Sequence, residues 1–142
     1  MKLGVSSCLI GTRCRYDGVG ASDKFVVDVL QKYFQMVPYC PETIIWGSPR
    51  VAIRQVHDEN GNLKIMTSTK EPIEVTKELE DISEICSNEI KDDDLCGFIL
   101  KSASPTCGLE RVKIYKPFNA PSVKQGIGVF AKKIKEKYPY LP

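Results

Sequence analysis

The sequence predicts an α/β fold, with a mostly parallel sheet flanked by helices and a β-hairpin insertion. Three observations lead there. Strand-like and helix-like segments alternate along the 142 residues in the order β-α-β, hairpin, α, β, α. Two extended runs meet at Asn60-Gly61, a pair that favours a tight turn between antiparallel strands. A composition of 42% hydrophobic and 27% charged residues suits one domain around one core, so residues 1–142 are expected to form a single domain with no second one.

Each element has its own signal. "KLGVSSCLI" reads as a short buried strand ending near Ser6 or Ser7. "SDKFVVDVLQKYFQ" sets Phe25, Val26, Val29, Leu30, Tyr33 and Phe34 on one helical face, with Ser22 or Asp23 as the cap. "FQMVPYC" is a second strand running into Pro41, and "VAIRQVHDENGNLKIMTST" is the hairpin. "PIEVTKELEDISEICSNEI" repeats apolar residues at Val75, Leu79, Ile82 and Cys86 and reads as a helix, followed directly by the strand "LCGFILKSAS". "SVKQGIGVFAKKIKEKY" reads as a last helix, its start weakened by Gly126 and Gly128, each worth about 1 kcal/mol relative to alanine. The order implies a Rossmann-like three-layer arrangement, in which ligands bind past the carboxyl ends of the strands.

Charge and hydropathy exclude several partners. The net charge of +2 comes from 20 basic and 18 acidic side chains, spread evenly except for "AKKIKEK", so nucleic acid is not an expected partner. No stretch approaches the roughly 20 apolar residues of a membrane span. "MKLGVSSCLIG" lacks the h-region and cleavage site of a signal peptide, and the expected location is cytoplasmic. In that reducing compartment six cysteines are ligands, nucleophiles or core residues rather than disulfides.

Three of the six share a setting. Cys8 in "SSCLIG", Cys40 in "VPYCPE" and Cys107 in "SPTCG" each follow a strand-like run, so parallel neighbours would bring three thiols to one sheet edge. Cys86 falls on a helical apolar stripe, Cys96 opens a strand and Cys14 lies in a loop, positions that suit core or incidental roles. Three chemistries are open to the converging thiols. Structural zinc sites show paired ligands such as C-x2-C, which this chain lacks, and the lone His57 beside the hairpin turn reads as a surface residue. A cysteine-dependent phosphatase needs C-x5-R, but the residue six after Cys8 is Cys14, with Arg13 and Arg15 flanking it. An iron-sulfur cluster accepts thiolates from distant parts of a chain, and three of them leave one iron open to a substrate.

"SSCLIG", "RYDG", "VPYCPE", Pro49-Arg50 and "LKSASPTCG" together resemble, in the same order and over nearly the whole chain, the TudS-like thiouracil desulfurase family, catalogued as a domain of unknown function. The resemblance implies a 4Fe-4S cluster on Cys8, Cys40 and Cys107, with Glu42 of the C-P-E motif as the catalytic carboxylate. It implies an enzyme, an iron-sulfur-dependent desulfidase acting on a thiolated nucleobase or nucleoside such as 2-thiouracil. Water replaces sulfide without net redox change, and the rival is a non-catalytic cluster-binding or sulfide-carrier protein. Asp17, Arg50, Ser102 and Ser104 are candidate substrate-binding residues beside these motifs, although Asp-Gly and Ser-Pro pairs also initiate turns. Trp46 is a candidate to stack on a flat base or to pack in the core. The chain departs from the family's "RYDGGHK", carrying Val19, Gly20 and Ala21 where Gly, His and Lys are expected, and it has Thr106 in place of the usual serine.

Overall fold

The computed structural model describes residues 1–12 and 21–142. Among the described residues seven strands form two sheets. The first is fully parallel, in the order β2-β1-β5, from β1 (Lys2–Ser6), β2 (Gln35–Tyr39) and β5 (Leu95–Ile99). The second runs β4-β3-β6-β7, from β3 (Ile53–His57), β4 (Leu63–Thr67), β6 (Val112–Tyr115) and β7 (Val123–Gly126). In it β3 pairs antiparallel with β4 and parallel with β6. The hairpin is therefore one half of a second, mixed sheet.

Side-chain alternation on the parallel sheet builds the three layers. Val37 and Tyr39 of β2 and Phe98 of β5 face one side, where they pack with Cys86, Ile90, Cys107, Phe130 and Ile134. These come largely from α3 (Thr76–Glu89) and α4 (Val129–Lys137), the two long helices. Val5, Met36 and Ile99 face the other side and pack with Leu9 of the turn after β1 and with Val26 of α1 (Lys24–Asp28). A last short helix, α2 (Pro41–Trp46), starts directly beyond β2.

The hairpin loop is longer than a two-residue turn. Asp58 accepts from the amides of Asn60 and Asn62, both at 2.9 Å, and Gly61 takes the φ of 79° that this loop requires.

Two expected elements are corrected. The first helix is only Lys24–Asp28 plus a 3-10 turn over Leu30–Lys32, capped by Asp23, whose side chain accepts from the Val26 amide. Its apolar face is not buried as a stripe: Val26 is, whereas Phe25 and Tyr33 are 61% and 72% exposed. The adjacent β-branched Val26 and Val27 weaken the helix, and the Gln35 amide bonding to the Met1 carbonyl pulls the chain into β2 at once. The tail is the second correction. Residues 123–126 pair with β6 as a strand, and the helix begins only at Val129, with Gly128 as its N-cap. Among the described residues no helix is long and apolar enough to cross a membrane.

Candidate active site

The three parallel strands end level with one another, since Ser6 pairs with Tyr39 and Val5 with Ile99. Their carboxyl ends and exit loops open onto one cavity of about 270 Å³. The end of β1 and the turn after it contribute Ser6, Ser7 and Cys8; the end of β2 and the start of α2 contribute Tyr39, Cys40 and Glu42; the exit from β5 contributes residues 101–105 and Cys107. Arg50, Ala52 and Ile53, on the way into β3, close the remaining wall. All three thiols picked out by strand ends thus share a single space, with Glu42, Arg50, Ser102 and Ser104 around it. Asp17, like Cys14 and Arg15, lies outside the described residues.

Each thiol is fixed by its local backbone. Cys8 sits in a 3-10 turn, Ser7–Ile10, where its carbonyl accepts from the amides of Gly11 and Ala21 at 3.2 and 3.0 Å. Cys40 is the residue before α2; Pro41 at the first helical position favours the turn, and the thiol lies 3.0 Å from the Thr43 hydroxyl one turn along. Cys107 hangs on a loop organised by Ser104, whose hydroxyl oxygen accepts from the amides of Thr106 and Cys107 at 3.2 and 3.0 Å. That loop is clamped from below by the start of α4. The Thr106 carbonyl accepts from the amides of Phe130 and Ala131 at 2.9 and 3.2 Å, and a Cβ on Gly128 would stand 2.4 Å from the Thr106 oxygen.

Glu42 lies in the first turn of α2 and is held at both oxygens. The Thr106 hydroxyl donates to Oε2 at 2.9 Å, and the Arg50 guanidinium approaches Oε1 at 3.3 Å through one terminal nitrogen and at 3.4 Å through Nε. Their side chains are largely buried, 6% exposed for Arg50 and 14% for Glu42. Arg50, read from the sequence as a candidate substrate-binding residue, is thus engaged in an internal ion pair while still lining the cavity.

Burial pushes the Cys107 thiol up to about 12, against a hydrogen bond from Ser6 that pulls it down; Glu42, Cys40 and Cys8 add repulsion. A neutral thiol in such a place becomes a thiolate when a cation takes the proton's position. Among the described residues no three His, Cys, Asp or Glu side chains converge as they would on a single metal ion. A cluster makes a different demand: each thiolate binds a different iron, so the donors stand around a cavity and not at one point. Three soft sulfur donors on the wall of one cavity fit that demand.

Other residues fall elsewhere. Cys86 is buried in the core between α3 and the parallel sheet, as its helical stripe implies, and that burial pushes its thiol to about 11. Cys96 is exposed and donates to the Lys2 carbonyl at 3.1 Å. Trp46 is half-buried on α2 and is not part of the cavity wall. Tyr39 and Lys101 line the cavity without having been read from the sequence. Each stands next to a residue already singled out, Cys40 and Ser102, and adjacency was the available signal. The Tyr39 ring packs 5.2 Å from Phe98 and its hydroxyl donates to Asp93; burial, aided by that bond, raises it far above the usual phenol range.

Comparison with known proteins places the fold and the family. No curated protein matches the chain. A solved structure described as a 4Fe-4S-dependent thiouracil desulfidase, TudS, superposes with a TM-score of 0.68 at 25% sequence identity, covering 96% of this chain and 85% of that one. The expected α/β fold is the fold of that structure. The family described as 2-thiouracil desulfurase matches residues 3–142. The chain belongs to the 2-thiouracil desulfurase family, a family of enzymes.

Proposed function

We propose that this chain is a 4Fe-4S-dependent desulfidase that removes sulfur from a thiolated nucleobase or nucleoside such as 2-thiouracil, with water replacing sulfide and no net redox change. The observation that carries the reading is the single cavity onto which Cys8, Cys40, Cys107 and Glu42 all open. Cys8, Cys40 and Cys107 are the residues that would hold the cluster. Bound there, it would supply one iron without a protein ligand, a soft Lewis acid suited to a thione sulfur.

The protein's own residues account for the rest. A cavity of about 270 Å³ is on the scale of a small-molecule site. Glu42 takes a proton from a water that adds to the thione carbon, help typically worth about a hundredfold to ten-thousandfold. Arg50 and Thr106 fix its carboxylate before the water arrives, so little reorganisation is needed during the reaction. The sulfur leaves as hydrosulfide with the bonding pair, the carbon gains the water oxygen, and no electron donor is required. Ser102 and Ser104 stand on the wall where a bound base would lie, and Asp17 remains a candidate for a ring N–H. The reading treats the chain as one domain working in a reducing cytoplasm, where thiol ligands survive.

Anaerobic reconstitution followed by incubation with 2-thiouracil tests it. The expected result is a brown protein with about four iron per chain that releases sulfide and uracil. Glu42→Gln should keep the iron and lose about a hundredfold or more in turnover. A colourless chain, or an iron-loaded one that leaves a panel of thiolated bases and nucleosides untouched, would overturn the proposal.

A further inference from the structure

Two hydroxyls next to the thiols carry no step of the reaction proposed above. Thr43 Oγ1 lies 3.0 Å from Cys40 Sγ, and either atom of that pair is able to donate while the cysteine is a thiol. Once Cys40 is a ligand its sulfur is a thiolate and accepts only, so the proton must come from Thr43. Ser6 is 2% exposed and hydrogen-bonds Cys107 through its side chain. Its oxygen also accepts from the Lys101 amide at 3.0 Å. That second bond fixes the rotor: the amide occupies a lone pair, which leaves the hydroxyl proton for the sulfur. Both hydroxyls come from the same carboxyl edge of the parallel sheet, one just before Cys8 and one just after Cys40.

We propose that Ser6 and Thr43 are tuning residues of the candidate cluster, each hydroxyl donating to one ligand thiolate, Cys107 and Cys40 respectively. The inference rests on the cluster reading of the three thiols. Hydrogen bonds to ligand sulfurs draw charge away from iron and move a cluster's reduction potential upward. The same withdrawal makes the iron without a protein ligand a stronger acceptor for sulfur. In a reaction that exchanges no electrons, the donors act through Lewis acidity, and the potential is their independent signature.

The test compares the anaerobically reconstituted full chain with Ser6→Ala, Thr43→Val, Thr43→Ser and the Ser6→Ala/Thr43→Val pair. Iron per chain is measured first, then the midpoint potential by redox titration followed by electron paramagnetic resonance. Ser6→Ala and Thr43→Val should each shift the midpoint to more negative values, the pair should shift it further, and Thr43→Ser should return it to the parent's. Should Ser6→Ala fail to fold, the Val and Ser variants at Thr43 carry the comparison alone. Iron lost in Thr43→Val and kept in Thr43→Ser also supports the hydroxyl's role. Variants that keep their iron and the parent's midpoint overturn this inference while leaving the cluster reading intact. A parent chain that takes up no iron overturns the cluster reading itself, and this inference with it.

Discussion

Glu42 is held by residues from two other parts of the chain, the charged guanidinium of Arg50 and the uncharged hydroxyl of Thr106. A hydrogen bond to a charged group contributes about 1.5–3 kcal/mol. Thr106→Val should therefore lower kcat/KM by about ten- to a hundredfold with iron content unchanged, and Thr106→Ser should recover most of it. A valine variant with the parent's kcat/KM would show that the carboxylate is positioned by Arg50 alone. Single residues were legible where the signal was local. Cys8, Cys40, Cys107 and Glu42 stand beside strand ends and prolines, whereas the Thr106–Glu42 bond spans 64 residues and leaves no pattern in the chain. The thiols give a second expectation at this scale. Folding raises Cys107 to about 12 and Cys86 to about 11 from an ordinary value of 9.0. The protonated form is the one the fold favours, so this stability is complete below the ordinary thiol value and is lost as pH rises towards the folded values. Urea unfolding of the metal-free chain should weaken above the ordinary thiol value, and Cys107→Ala should flatten that slope.

At the scale of elements, periodicity was a reliable guide where a segment was long and packed on one face, and misleading where glycine or a neighbouring strand intervened. α3 matches its apolar repeat, with Leu79 and Cys86 buried. The tail did not follow its pattern, because the segment before Gly128 is needed as a partner for β6, and the close approach of α4 to the Cys107 loop requires a residue without a Cβ. β6 itself alternates buried Val112 and Ile114 with outward residues over only four positions, too short a run to separate from the loop around it. The contact at Gly128 has a measurable consequence. A methyl group there would meet the Thr106 carbonyl at 2.4 Å and the Cys107 amide at 2.7 Å, both backbone atoms that cannot swing aside. Gly128→Ala should cost about 1–3 kcal/mol of stability by overpacking and loosen iron retention, since the displaced segment carries Cys107. A variant with the parent's thermal midpoint and iron content would mean that α4 yields instead of the loop.

Across the whole molecule, the cavity is lined from both sheets, and one buried amide of the second sheet reaches the loop that follows the first. Gln55 is fully buried on β3, and its Nε2 donates to the Pro105 carbonyl at 3.1 Å and to the Ile127 carbonyl at 2.7 Å. One side chain of the second sheet thus holds both the loop that carries Cys107 and the entrance to α4. Nothing in the sequence marks Gln55, because a polar residue inside a hairpin strand normally faces solvent; its role appears only once β6 and β7 have built the second sheet beside the first. Gln55→Leu keeps the volume and removes both donors, leaving two carbonyls without their partner. The penalty for a buried group left unpaired is about 1–3 kcal/mol each; removing Oε1, itself buried without a hydrogen-bond partner, offsets one such penalty, so urea unfolding of the metal-free chain should report a loss of about 1–3 kcal/mol. Because the loosened loop is the one that presents Cys107, the same variant should release iron to a chelator faster than the parent. A surface control, Lys77→Met, breaks an exposed pair with Asp81 at 2.8 Å and should leave the urea midpoint and the iron release close to the parent's. If Gln55→Leu behaves like that control, the Cys107 loop owes its position to α4 and Ser104.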